Sequence, residues 1–318
     1  RSGRPLSAGA PQSPYSYGAF PLNDKQDATL RENVRFRLRI TFPAEARADV
    51  EAALWTWETF GGIGARTRRG FGALVCELVD GKAPDRPPAD RRGAAEWLRR
   101  SIAAHIEPGK NPPQVPQLTR DVQFVVTEPR DDADEVWRGR LLERLKAFRQ
   151  QRPQNRIPQR GRIVSRPGRN RWPEQDEVRR LTGRRLLPRH REEIVGVRKF
   201  PRAAFGLPLI IQYKRDDQLA GDPLDNNTVN VDGKERFASP LILRPIACAT
   251  GYVGLALVLE NSRVPAQAML TTRHGRFPIR TDLSEKEAQQ IMRADNRTPL
   301  LNGETDVLRA FLNFLEER

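Results

Sequence analysis

Residues 60–74 read FGGIGARTRRGFGAL, in which five glycines at 61, 62, 64, 70 and 72 are interleaved with Arg66, Arg68 and Arg69. Glycine adopts backbone conformations that side chains penalise, and it lets a partner approach the main chain closely. Exposed N–H groups and guanidinium forks on one loop make a cradle for anions. The segment is not a phosphate loop of the NTPase type, because the terminal Gly-Lys-Ser/Thr is missing. Nor is it a dinucleotide fingerprint, since it joins a helix to a strand and the fingerprint joins a strand to a helix. The plainer reading is a tight turn that packs a strand on a helix.

The flanks set the context of this loop. Upstream, Phe36, Leu38, Ile40 and Phe42 alternate with Arg35, Arg37, Arg39 and Thr41, which predicts a strand over 35–42 with one buried face. Val50, Ala53 or Leu54, and Trp57 recur at helical spacing and predict a helix over 44–59, stopped by Gly61-Gly62. Downstream, the apolar run 71–79 predicts a strand. Residues 1–33, rich in Pro, Gly and Ser, read as an irregular lead-in, and a short helix over 94–106 lies between proline-rich connectors.

From about residue 116 the pattern predicts a second α+β domain. A strand over 122–127 leads into a helix from 132 to about 151 with Val136, Leu141, Leu142, Leu145 and Phe148 inward and Asp131-Asp132 at its start. Residues 207–213, 241–247 and 252–259 are strand-like, and 217–234 reads as a polar loop. Helices over 284–295, opened by a Ser284/Glu287 cap, and over 304–317 close the chain. The stripe Val307, Leu308, Phe311, Leu312 and Leu315 is core or a docking face.

Charge points to the class of partner. Across 318 residues, 55 Lys and Arg stand against 40 Asp and Glu, a net charge of +15. Arginine supplies 47 of those cations, and its planar fork suits bidentate phosphate contact, although a GC-rich genome also favours arginine. Residues 149–191 hold 14 arginines and no lysine against Glu174, Asp176 and Glu177, an excess of 11. Such a stretch repels itself, so a long loop or partly ordered arm is expected. Within it, Trp172 between Arg171 and Pro173 either stacks on an unpaired base, a contact worth ~1–3 kcal/mol, or is buried in a core.

Other classes recede. No stretch reaches the ~20 consecutive apolar residues of a membrane span. Cys76 and Cys248 sit in apolar runs where a free thiol behaves as a small hydrophobe, so a reducing, cytoplasmic setting is expected. His105, His190 and His274 are scattered, and the acidic cluster Asp131, Asp132, Asp134, Glu135 reads more simply as a helix start than as metal-dependent nuclease carboxylates. No catalytic residue, metal or cofactor is expected. The methionines are Met269 and Met292, so Arg1 is not expected to be a natural start.

Four segments in order carry a family resemblance: the glycine-rich loop, RWPEQDEVRRL at 171–181, FPRAAFGLPLIIQY at 200–213 and ASPLIL at 238–243. Together, over about residues 15–260, they resemble the RAMP proteins, the repeat-associated RNA-binding family of CRISPR effector complexes, and within it the first RAMP subunit of the type III-B (Cmr) complex. The resemblance implies an α+β fold of two ferredoxin-like, RRM-type domains. It also implies a non-catalytic subunit that holds the 3′ region of the crRNA, positions target RNA and touches other Cmr-complex subunits. The RNA-binding residues would be Gly61, Gly62, Gly64, Arg66, Arg68, Arg69 and Gly70 on the loop, with Arg166, Arg169, Arg171 and Trp172 in a second basic motif. Phe205 to Pro208 and Ser239-Pro240 would be scaffold.

The sequence departs from the family in one respect. The strand, helix and strand with a basic segment that open the family's first domain are not found here, so 35–79 would supply only the C-terminal half of that domain. The other half is expected upstream or in another chain. The expected division is 1–33 lead-in, 34–115 first domain with connector, and 116–318 second domain with the insertion 149–191. Two other functions fit the superfamily: a repeat-cleaving endoribonuclease, which needs a His or Tyr close to the loop in space, and a structural adaptor.

Overall fold

Capping and helical periodicity place most helices of the computed structural model, which describes residues 6–7, 13–22, 29–109, 116–159, 161–183, 196–213, 227–231, 236–261, 264 and 266–317. In chain order the helices are α1 (Ser16–Ala19), α2 (Arg47–Phe60), α3 (Arg91–His105), α4 (Glu143–Gln150), α5 (Glu174–Thr182), α6 (Glu285–Gln290) and α7 (Val307–Glu316). The strands are β1 (Leu6–Ser7), β2 (Thr29–Leu30), β3 (Gln123–Val126), β4 (Gln154–Gln159), β5 (Arg162–Pro167), β6 (Leu209–Ile211), β7 (Asn227–Asn230), β8 (Leu241–Ala247), β9 (Tyr252–Val258), β10 (Gln267–Thr272) and β11 (Gly275–Arg280). The chain is mixed α/β, and it divides into two units that are not consecutive in sequence. The first is 1–111, 118–146 and 242–257; the second is 112–117, 147–241 and 258–318. A division at one point near 116, as read from the sequence, is a different partition from this one.

In the first unit, α2 ends where the Gly61 N–H closes on the Trp57 carbonyl at 2.9 Å. Helix α3 starts at Asp90, whose side chain accepts from the Gly93 N–H at 2.7 Å, and it buries Ala94, Leu98 and Ile102 at spacing four. A three-stranded sheet runs in the order β3-β9-β8. A π-helical stretch Glu135–Leu142 leads into α4, and its Val136 and Leu141 press close on Gly254 of β9, where a Cβ would lie 3.1 Å from each.

The predicted strand over 35–42 does not form. Residues 31–43 join no ladder among the described residues, and Val34, Phe36, Leu38 and Ile40 are exposed at 64, 53, 53 and 42%. Alternation names the two faces of a strand, but cross-strand partners stabilise one, and here none are supplied. The predicted strand over 71–79 does not form either: 71–72 lie in a turn, 73–78 join no ladder among the described residues, and Val79 makes a single bridge to Lys82.

The second unit holds an antiparallel sheet in the order β11-β10-β7-β6. Its register sets Leu209, Val229, Leu270 and Phe277 in one row across the four strands. That row is buried with Val178 of α5, Phe200, Tyr213 and Ile279, apart from Phe277, which is half-buried at the edge. Helix α6 carries the expected capping box at Ser284 and Glu287, and α7 is capped by Asp306. The α7 stripe is core, since Phe311 meets Phe148 and Phe205 edge-on at 5.3 and 5.9 Å. Most of the polar loop 217–234 lies outside the described residues, but 227–230 within it is the strand β7. The expected long basic loop is in part a hairpin, β4 paired with β5 from Gln154↔Pro167 to Gln159↔Arg162.

Candidate nucleic-acid interface

The glycine-rich loop begins at the end of α2 and is closed on itself, with the Ile63 N–H donating to the Gly72 carbonyl at 3.0 Å. A one-turn 3₁₀ helix, Thr67–Arg69, fills its far side, and Arg66 before it is left-handed at φ 65°. Two of the glycines are needed for packing. Gly72, at φ 65°, leaves no room for a Cβ beside the Ile63 carbonyl, and a Cβ on Gly70 would strike the Trp137 indole.

Four side chains pin the loop, three of them from outside it and one, Arg66, its own. Trp137 Nε1 donates to the Arg69 carbonyl at 2.6 Å, and Trp57 Nε1 donates to the Gly62 carbonyl at 3.2 Å. Arg66 Nε donates to the Gly18 carbonyl at 2.8 Å. Arg244 of β8, 1% exposed, donates to the carbonyl oxygens of Gly61 and Leu74, one at each end of the loop. Burial pushes its guanidinium down to about 10, while Glu58 nearby raises it, so it is still a cation at neutral pH. Trp137 is itself held between Tyr15, stacked at 5.2 Å, and Phe71, edge-on at 4.8 Å.

These anchors determine what the loop displays. Arg69 is buried at 7% exposure, Arg66 is half-buried and held, and Arg68 is half-buried with its guanidinium proton affinity lowered by burial. Exposed are Ile63, Gly64 and Ala65 at the crest. The N–H groups of Gly64 and Ala65 enter no backbone hydrogen bond among the described residues, and nothing lies within 4 Å of where a Gly64 Cβ would stand. The crest thus offers main-chain donors to an anion, backed by the positive charge of Arg66, Arg68 and Arg69. Gly61 and Gly62 are half-buried at the neck.

The second basic motif belongs to the other unit and behaves differently. Trp172 is 0% exposed, its Nε1 donates to the Phe148 carbonyl at 2.8 Å, and it meets Phe148 edge-on at 5.6 Å. A base has no access to that ring, which corrects the expected stacking role. Arg169 is ion-paired with Asp176, which also takes Arg179 at 3.1 Å, and Arg180 donates to Glu177 at 2.5 and 2.7 Å. Glu174, 0% exposed, accepts from the backbone N–H and Nε of Arg202 at 2.8 and 3.0 Å. Arg171 is half-buried, and its backbone N–H donates to the Gln151 carbonyl at the base of the hairpin. Arg166 stands on β5 opposite Asn155, and its side chain lies outside the described residues, as do residues 184–195 with four further arginines and His190.

The acidic cluster is a helix start. Asp132 accepts from the Asp134 N–H at 2.9 Å, Asp134 pairs with Arg138 and Glu135 with Arg130, both at 3.1 Å. His105 stacks on Trp55 at 4.6 Å, and His274 accepts from Arg273 in the β10–β11 turn. Among the described residues, no three His, Cys, Asp or Glu side chains are placed to hold a metal ion. No described helix is long and apolar enough to cross a membrane. Cys76 and Cys248 are free thiols, and burial pushes Cys248 up to about 11.

Sequence reasoning missed Arg244 and Trp137. Arg244 had a signal, as the single charge in the apolar run 241–248. Trp137 had none, because it stands one place from the inward stripe and its role depends on Arg69, 68 residues away.

The geometry is that of a pinned glycine loop with an exposed main-chain crest and arginines next to it. Residues 6–75, which take in α1, α2 and the loop, match the family model of the RAMP superfamily. The match is a likeness of this N-terminal part of the chain to that superfamily. No curated protein and no solved structure matches the chain.

Proposed function

We propose that the protein is a non-catalytic RNA-binding subunit of a type III-B CRISPR interference complex. It holds the 3′ region of the crRNA and positions target RNA, with other Cmr-complex subunits as its neighbours. The observation that carries this reading is the loop crest, where Gly64 and Ala65 are exposed with N–H groups that enter no backbone hydrogen bond among the described residues, next to Arg66, Arg68 and Arg69 and between anchored flanks. Fixed donors are reoriented little on binding, so little ordering entropy opposes contact with phosphate. The net charge of +15 adds a general attraction for RNA without sequence preference.

The test is Ala65→Glu, which puts a negative charge on the exposed crest, and Arg68→Ala, which removes a cation behind it. Binding of labelled single-stranded RNA is measured by fluorescence anisotropy over a salt series. Each variant is expected to bind about tenfold more weakly, and Arg68→Ala to lower the salt slope by roughly 0.7, the loss of one phosphate contact. Wild-type affinity and slope in both variants, with unchanged circular dichroism, would refute the crest as the contact.

A further inference from the structure

At the foot of the β4–β5 hairpin, within the second unit, one arginine is not matched to an acid. Two backbone hydrogen bonds frame Arg152 there, since the Gln151 carbonyl accepts from the Arg171 N–H at 3.1 Å and the Pro153 carbonyl from the Gly168 N–H at 2.7 Å. The main chain at Arg152 is therefore held in place. Its neighbour Arg202, on the 3₁₀ turn Pro201–Phe205, is well partnered: Nε donates to Glu174 at 3.0 Å, Nη1 donates to the Arg149 carbonyl at 3.1 Å, and the guanidinium lies 6.0 Å from the Trp172 ring. Glu174 is buried and already taken by Arg202. Arg152 is half-buried, its side chain enters no hydrogen bond or ion pair among the described residues, and its Nε is shut off from solvent without an acceptor. Burial lowers the proton affinity of its guanidinium, and the like charge of Arg202 lowers it further.

A guanidinium that has lost part of its hydration and gained no partner destabilises the fold that holds it. An anion reverses this, because it supplies acceptors to the fork and offsets the repulsion from the second cation. We infer that Arg152 is the principal donor of an oxyanion site of the phosphate class, with Arg202 as the second charge beside it. The planar fork presents two N–H groups to two oxygens of one group. Arg149, three residues earlier with its guanidinium 5.3 Å from the Phe205 ring, adds a further cation to this part of the unit. A phosphate group, with three acceptor oxygens and a charge beyond −1, suits such a surplus better than a carboxylate does. Free phosphate and a phosphate of an RNA backbone offer the same chemistry, and the experiment separates them. The site is distinct from the loop crest and does not depend on the function proposed for it.

The full-length chain is unfolded by heat in rising sodium phosphate and in sodium chloride of equal ionic strength, as wild type, Arg152→Met and Arg152→Lys. Phosphate is expected to raise the wild-type Tm above the chloride control. Arg152→Met keeps the apolar stem and removes every donor, so it is expected to abolish that rise. Without phosphate it is expected to be at least as stable as the wild type, because an unpaired, desolvated charge is gone. Arg152→Lys keeps the charge without the fork and is expected to bind phosphate about tenfold more weakly. Single-stranded RNA that displaces phosphate, and binds Arg152→Met less tightly, identifies the occupant as an RNA phosphate; RNA affinity that Arg152→Met leaves unchanged identifies it as the free anion. Three results overturn the inference: no rise over chloride in the wild type, an equal rise in Arg152→Met, or a loss of stability in Arg152→Met without phosphate, which would mean that the guanidinium already has a partner within the chain.

Discussion

The loop at 60–74 and the arginine-rich stretch at 149–183 look alike as sequence, each with arginines, glycines and an aromatic residue, yet they use their cations in opposite ways. In the stretch, Glu174, Asp176 and Glu177 sit in the first turn of α5, and Arg169, Arg179, Arg180 and Arg202 are spent on them. In the loop, Arg66 reaches the Gly18 carbonyl, and the exposed backbone crest at Gly64 and Ala65 is next to Arg66, Arg68 and Arg69 in the chain. Counting arginines measures the supply of charge. Where the nearest acids fall in the local structure decides whether that charge faces a partner.

Trp172 gives the comparison its largest test. Trp172→Ala removes a fully buried indole that packs on Phe148 and lies 6.0 Å from the Arg202 guanidinium, and it is expected to cost the second unit about 3–5 kcal/mol. Chemical denaturation followed by far-ultraviolet circular dichroism reads this loss, and Trp172→Phe is expected to recover part of it. RNA affinity per folded molecule should not change in either variant. A stable Trp172→Ala protein that binds RNA several-fold more weakly would erase the distinction and return Trp172 to the interface.

The next effect concerns the loop's support. Arg244→Met keeps the length of the side chain and removes both donors to Gly61 and Leu74. The carbonyls of two half-buried residues lose their partners, while a buried charge that was costly to desolvate also disappears. The net loss is expected to be about 2 kcal/mol, with faster hydrogen exchange at 61–74 and weaker RNA binding. Equal stability and equal exchange would show that the loop is shaped without Arg244, and its crest would then not be preorganised as described.

The sequence announced local features well and their partners poorly. Helices α2, α3 and α7 were legible because helical spacing is a property of a few adjacent residues, as is the Ser284/Glu287 capping box of α6. The strands β8 and β9 were legible as apolar runs. The strand over 35–42 was not realised because the alternation FRLRITF states which residues share a face and is silent on whether anything covers that face. Trp172 shows the same limit: an aromatic residue beside arginine reads as a base-stacking site until Phe148, 24 residues earlier, is seen beneath it. The glycines and arginines of the loop were found from sequence. Their division into packing positions, Gly70 and Gly72, and display positions, Gly64 and Ala65, needed Trp137 and Ile63 to be placed.

The smallest effect tests how far the loop's support extends toward the N-terminus. Tyr15 stacks on Trp137, whose indole holds Arg69, and its phenol is pushed up to about 12 by burial and then by the charge of Asp134 and a hydrogen bond to it. The folded state therefore favours the protonated phenol. Its contribution is fully present below the ordinary tyrosine value of about 10 and is lost as pH rises through about 12, because the unfolded chain releases its proton first. Urea midpoints of the wild type and Tyr15→Phe are expected to run parallel up to pH 9 and to converge between pH 10 and 12 as the wild type loses its advantage. Lysines titrate in both proteins, so the difference between the two curves isolates Tyr15. Parallel curves to pH 12 would detach Tyr15 from the support of Trp137 and leave Phe71 as the aromatic neighbour that holds that indole.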